Sequence, residues 1–157
     1  MTFPPIAEIK KELQHTDVDV LMELCLRLAK YKKENKELLG YLLFESQNET
    51  SYVRQIKEDI DTQFEELRGK NTYLLKKMLR KILRFTNRHI KYSNVAETDL
   101  ELRIYFCQKV KEANVPLKSS PTLYNLYHGQ LKKIEATLSK LPEDIQGDYT
   151  RAIELIR

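Results

Sequence analysis

Between Lys70 and Lys91 the chain carries eight Lys or Arg residues and no Asp or Glu. Wound as a helix, Lys76, Lys77, Arg80, Lys81, Arg84, Arg88 and Lys91 fall within about 140° of one face. Leu74, Leu75, Met78, Leu79, Ile82, Leu83, Phe85 and Ile90 take the opposite arc. A cationic stripe roughly 20 Å long, at 1.5 Å per residue, suits a phosphate backbone or an acidic partner. Internal neutralisation is the competing account. Glu58, Asp59, Asp61, Glu65 and Glu66 stand just upstream against only Arg54 and Lys57, and a helical hairpin would set them beside the cations. The formal net charge of +4 permits weak, salt-sensitive nucleic-acid binding and no more. Tyr73 is the one aromatic on the basic face, so no platform for stacking single-stranded bases is evident.

Other residue types capable of chemistry form no recognisable constellation. His15, His89 and His128 are far apart, and no Cys-x-x-Cys, His-x-x-x-His or Glu-x-x-His spacing occurs. His89 lies inside the apolar arc of its helix, where a hydrogen-bonded core histidine is expected. Cys25 and Cys107 sit in apolar helical runs and are expected to be buried thiols acting as small hydrophobes. Glu58, Asp61 and Glu65 share a helical face, but with Lys and Gln interspersed they read as a wet surface rather than an acid–base pair. The four glycines are isolated, so no phosphate-cradling loop exists. Tyr124 and Tyr127, with Leu123, Leu126 and Leu131, are expected at a core boundary with their hydroxyls outward. No cofactor, metal or catalytic residue is expected.

The elements that must carry these residues are helical throughout. Only 4 Gly and 5 Pro occur in 157 residues, too few for the turns of a sandwich or barrel. Charged residues are 32% and hydrophobic residues 41%, as expected of many helices that each keep a wet face. Eight helices are expected. They run from about Pro5 to Gln14, from a Thr16 cap to Tyr31, from Lys36 to Ser46 and from Thr50 to Arg68. The others run from an Asn71 or Thr72 cap to Lys91, from an Asn94 cap to Ala113, from Ser120-Pro121 to Ser139, and from Pro142 to the end. Gly69 suits a helix C-cap. The third, with Leu38, Leu39, Tyr41, Leu42, Leu43 and Phe44, has little polar face and is expected near the centre of the fold. No apolar run reaches the roughly 18 residues of a membrane span. The N-terminus lacks the pattern of a signal peptide, so a cytoplasmic location is expected. The Asn48-Glu-Thr50 sequon then reads as chance.

The run Thr16-Asp-Val-Asp-Val-Leu-Met-Glu-Leu-Cys-Leu-Arg-Leu-Ala29 resembles the first helix of a HEAT- or armadillo-type repeat, and Asn35-Lys-Glu-Leu-Leu-Gly-Tyr-Leu-Leu43 resembles the second. The resemblance spans about residues 6–44. It implies a curved superhelix that binds proteins or nucleic acid, and it implies no reaction.

The expected architecture is a single all-α domain over residues 1–157: a short α-α superhelix of antiparallel helix pairs, with a compact multi-helix bundle as the alternative. The expected function is a non-catalytic interaction module that binds an unknown protein partner or forms a homo-oligomer. Nucleic-acid binding through the 70–91 face ranks second and an enzyme third. A membrane partner is not expected, since the apolar arc of that helix is needed for the core.

Overall fold

The computed structural model describes residues 1–157 and is all-α, with eight α-helices and no strand. In chain order these are α1 (Ile6–Gln14), α2 (Val18–Tyr31), α3 (Lys33–Gly40), α4 (Glu49–Glu65), α5 (Thr72–Ser93), α6 (Ala96–Glu112), α7 (Pro121–Leu138) and α8 (Glu143–Ile156). A π-helical turn, Tyr41–Glu45, follows α3, and a 3-10 turn, Leu117–Ser119, precedes α7. Where one domain is expected from the sequence, contacts divide the chain into two compact units, residues 1–44 and 45–157.

In the second unit α6 is the axis. It touches α4, α5, α7 and α8, so four helices surround a fifth. Its sequence fits that place. Leu100, Leu102, Ile104, Phe106, Cys107 and Val110 point to several sides and all are buried. Each large apolar side chain so buried contributes about 1.5–3 kcal/mol. Contact with both its first and its second neighbours along the chain fits either expected architecture, the superhelix of helix pairs or the multi-helix bundle. Around it, α4 contributes Ile56, Ile60 and Phe64, α5 contributes Leu79, Ile82 and Ile90, and α7 contributes Leu123, Tyr127 and Ile134. Phe64 meets Phe106 edge-on at 5.8 Å between ring centres.

One charge is buried in this core. Arg103 of α6 is 8% exposed. Its Nε donates to Asp99 one turn back, and one terminal nitrogen donates to Asn87 of α5 at 2.8 Å and to Gln130 of α7 at 2.7 Å. The guanidinium thus ties three helices together through three hydrogen bonds, one of them to a carboxylate, which offset the cost of burying its charge.

Helix ends follow local chemistry, with two corrections. Asn48 and Asn71 cap α4 and α5, their side chains accepting from the N–H of Ser51 and of Leu74. Gly69 takes the left-handed conformation, φ 71°, in the turn between those helices. Thr16 is not the cap of α2: its hydroxyl donates to the Glu12 carbonyl and closes α1 instead. Asn94 does not start α6 either. It adopts φ 54° and terminates α5, its N–H returning to the Ile90 carbonyl. Asn is the non-glycine residue that most readily takes this conformation, so one side chain suits both roles and sequence spacing does not separate them.

The first unit is built differently. The joint between α2 and α3 is Lys32 alone, in extended conformation, so α3 starts at Lys33 rather than Lys36. Asn35 donates to the Leu28 carbonyl at 2.7 Å and satisfies an orphan acceptor at the end of α2. The two helices pack on each other. None of α1, α2 or α3 has a buried residue. The expectation that the third helix lies at the centre is therefore wrong. Tyr41 is buried, but Leu42, Leu43 and Phe44 are exposed.

Candidate functional site

Two surfaces stand out, one in each unit. In the second unit, α5 places its cations as the spacing predicts. Lys77, Arg80, Lys81, Arg84 and Lys91 are exposed, while Lys76 and Arg88 are half-buried. The opposite arc packs inward, with Leu79, Ile82 and Ile90 buried. At the N-terminal end of the stripe Tyr73 is 74% exposed.

The acids expected to answer these cations, Glu58, Asp59, Asp61, Glu65 and Glu66, do not pair with Lys76, Lys77, Arg80, Lys81, Arg84 or Lys91. Asp61 accepts the Tyr105 hydroxyl at 2.7 Å and pairs with Lys109 at 3.2 Å, both on α6. Lys57 of α4 pairs with Glu101 of α6 at 3.1 Å. Glu58, Asp59, Glu65 and Glu66 face solvent. Lys76, Lys77, Arg80, Lys81, Arg84 and Lys91 form no ion pair. The reason is geometric. A helix has room for several faces, and the α4 face that meets α6 is not the one that carries most of its acids.

In the first unit the exposed side chains are apolar. On α2, Val18, Met22, Leu26, Leu28 and Tyr31 are between 47% and 77% exposed. On α1, Ile6 is largely exposed, as are Phe3 before it and Leu43 and Phe44 in the π-helical turn. The wheel of α2 has apolar residues over about two-thirds of its circumference, leaving Asp19, Glu23, Arg27 and Lys30 a narrow polar strip. A stripe that wide asks for cover on more than one side, and α3 covers one. The exposure was foreshadowed by the width of the arc, but periodicity does not say which arcs find a partner. Cys25, expected to be buried, is exposed on this same helix. The apolar run around it is real; the cover is missing.

The remaining titratable groups are structural. Cys107 is wholly buried, and burial pushes its thiol up to about 12, with Arg103 and Lys111 pulling the other way. It is a protonated core hydrophobe at neutral pH. Burial, followed by the bond to Asp61, raises Tyr105 to about 12. Burial opposes the charge of Lys109, but hydrogen bonds to Glu112 and Asp61 outweigh it and the net shift is upward. His89, expected as a hydrogen-bonded core histidine, is hydrogen-bonded but only half-buried. Its Nδ1 lies 2.6 Å from the Tyr52 hydroxyl, and its ring packs against Phe85 and Tyr92. Tyr127 reverses the outward expectation: it is buried and its hydroxyl donates to the Ile156 carbonyl, anchoring the end of α8. Tyr124 stays at the surface, stacked on His128 at 3.8 Å.

An open cleft of about 790 Å³ lies between the α4–α5 turn and the end of α6, lined by Asp61, Arg68, Asn71, Lys109, Glu112 and Asn114, among others. Of its charged groups, Asp61 and Glu112 are paired through Lys109, and Glu65, Arg68 and Lys70 also line it. No group of three or more His, Cys, Asp or Glu side chains is arranged to hold a metal ion. No helix is long and apolar enough to cross a membrane. Compared with known proteins, the chain matches no family model, no curated protein and no solved structure.

Proposed function

We propose that this chain is a non-catalytic helical interaction module, and that residues 1–44 are its docking element for an amphipathic helix of a protein partner. The observation that carries this reading is the set of exposed apolar side chains on α2. Val18, Met22, Leu26, Leu28 and Tyr31 stay in water, although each would gain about 1.5–3 kcal/mol from full burial. Contiguous exposed apolar surface of this kind marks an interaction site. Val18, Met22 and Leu26 recur every four residues along one side of α2, a ridge against which a partner helix can lay its apolar stripe. The resemblance of this stretch to a HEAT- or armadillo-type unit points the same way, because such a unit buries its faces only by stacking on something else. Two free cysteines fit a reducing, cytoplasmic setting for the module.

The test uses the full chain. A photo-crosslinking residue is placed at Leu26 and irradiated in cells. A discrete adduct with one protein chain is expected, and it should vanish in a Val18→Glu/Met22→Glu variant. An adduct at the mass of two copies identifies the partner as the chain itself. Absence of any adduct, or adducts with lipid only, would end this reading.

A further inference from the structure

We infer that the exposed face of α5 binds the phosphate backbone of double-stranded nucleic acid, without reading its sequence. The surface differs in kind from the apolar face of residues 1–44 and does not depend on it. Lys77, Arg80, Lys81, Arg84 and Lys91 project from one rigid helix into solvent, and no carboxylate pairs with any of them. Between Lys76 and Lys91 the stripe spans about 22 Å at 1.5 Å per residue. A duplex presents one phosphate charge per roughly 1.7 Å of axis, so this length faces about a dozen phosphates on its two strands.

Three features select this ligand. A protein partner held tightly needs an apolar centre in its interface. Apart from Tyr73, the large apolar residues of α5 are buried or half-buried, so the face offers none. A membrane-surface helix must also insert apolar side chains, and the same burial removes them. Single strands are held by stacking on several aromatics, and Tyr73 is alone. What remains is charge in a fixed array, which is sufficient for backbone contacts that position a protein on a duplex and carry no sequence information. With a net charge of only +4 on the whole chain, binding is weak and steeply salt-dependent.

The experiment is fluorescence anisotropy of a labelled 20-base-pair duplex with the full chain. Neutralising about five phosphates gives a slope near −4.5 in log K against log salt, a loss of about 500-fold between 50 and 200 mM. Arg80→Gln/Arg84→Gln should lower the slope by about two, and Arg80→Glu/Arg84→Glu should abolish binding at 50 mM, with helical circular dichroism unchanged in both. Arg80→Lys/Arg84→Lys should retain affinity within about threefold, since a phosphate contact needs the charge more than the fork. Lys132→Glu/Lys133→Glu, exposed on α7, is the control and should change little. The proposal is overturned by no duplex binding at 50 mM, or by binding that survives the Arg80/Arg84 reversal. Tighter binding to a 20-nucleotide single strand or to vesicles with 30% phosphatidylserine also overturns it.

Discussion

Residues 1–44 and 45–157 are made from the same material and end in opposite states. Both hold amphipathic helices rich in Leu, Lys and Glu. In the second unit, α6 is surrounded by four helices and buries apolar side chains on nearly all sides. In the first, α2 is as apolar as any helix of the chain and buries none. Hydrophobic pattern states a demand for cover; the number of helices at hand sets the supply. With three short helices the first unit cannot meet its own demand, and the surplus apolar side chains stay exposed.

That contrast can be broken by experiment. Phe106→Ala, at a wholly buried position, should cost about 3–5 kcal/mol in urea unfolding, whereas Leu26→Ala on α2 should cost under about 0.5 kcal/mol for the isolated chain. Similar losses at the two sites would show that α2 is already covered in solution. Arg103→Met should lose roughly 3 kcal/mol, because it strands Asp99, Asn87 and Gln130 without their donor. Arg103→Lys should not restore it, since one ammonium cannot reproduce the fork.

Alkaline pH sharpens the contrast further. Cys107, ordinarily near 9.0, and Tyr105, ordinarily near 10.0, are both raised to about 12 in the second unit. The folded chain holds these protons more tightly than the unfolded chain, so their contribution is whole below about pH 9 and is lost as pH rises toward 12. The urea midpoint should hold up to about pH 9 and fall beyond it, and Cys107→Ala should flatten the first part of that fall. Smallest are the helix ends. Asn71→Ala should cost about 1 kcal/mol, while Thr16→Ala, whose hydroxyl only bonds back one turn at an exposed site, should cost a few tenths.

Much of this was legible in the residues. Helix type followed from periodicity, and most boundaries fell within a few residues of the expected ones. The cationic stripe of α5 was legible in full, because seven residues on one helix need only the helix to be brought together. Asn94 ends α5 rather than starting α6, and its side chain suits a start or a stop equally well. Cys25 and the apolar end of the third helix are exposed because an apolar run states a need for cover without supplying it. Tyr127 points inward because its acceptor, the Ile156 carbonyl, lies on another helix, out of reach of any local pattern.

Sequence alone thus determined that the chain is all helical, where its amphipathic stripes run, and that one helix carries only cations among its charges. These are properties of neighbours three or four residues apart, which a single turn already brings into contact. Tertiary structure alone decided that α6 is the axis, that Arg103 finds partners on α5 and α7, and that Asp61 answers Lys109 rather than the cations of α5. It also decided which apolar faces stay open. Those outcomes depend on which helices meet across long stretches of chain, and amphipathic stripes of equal quality are compatible with several ways of meeting.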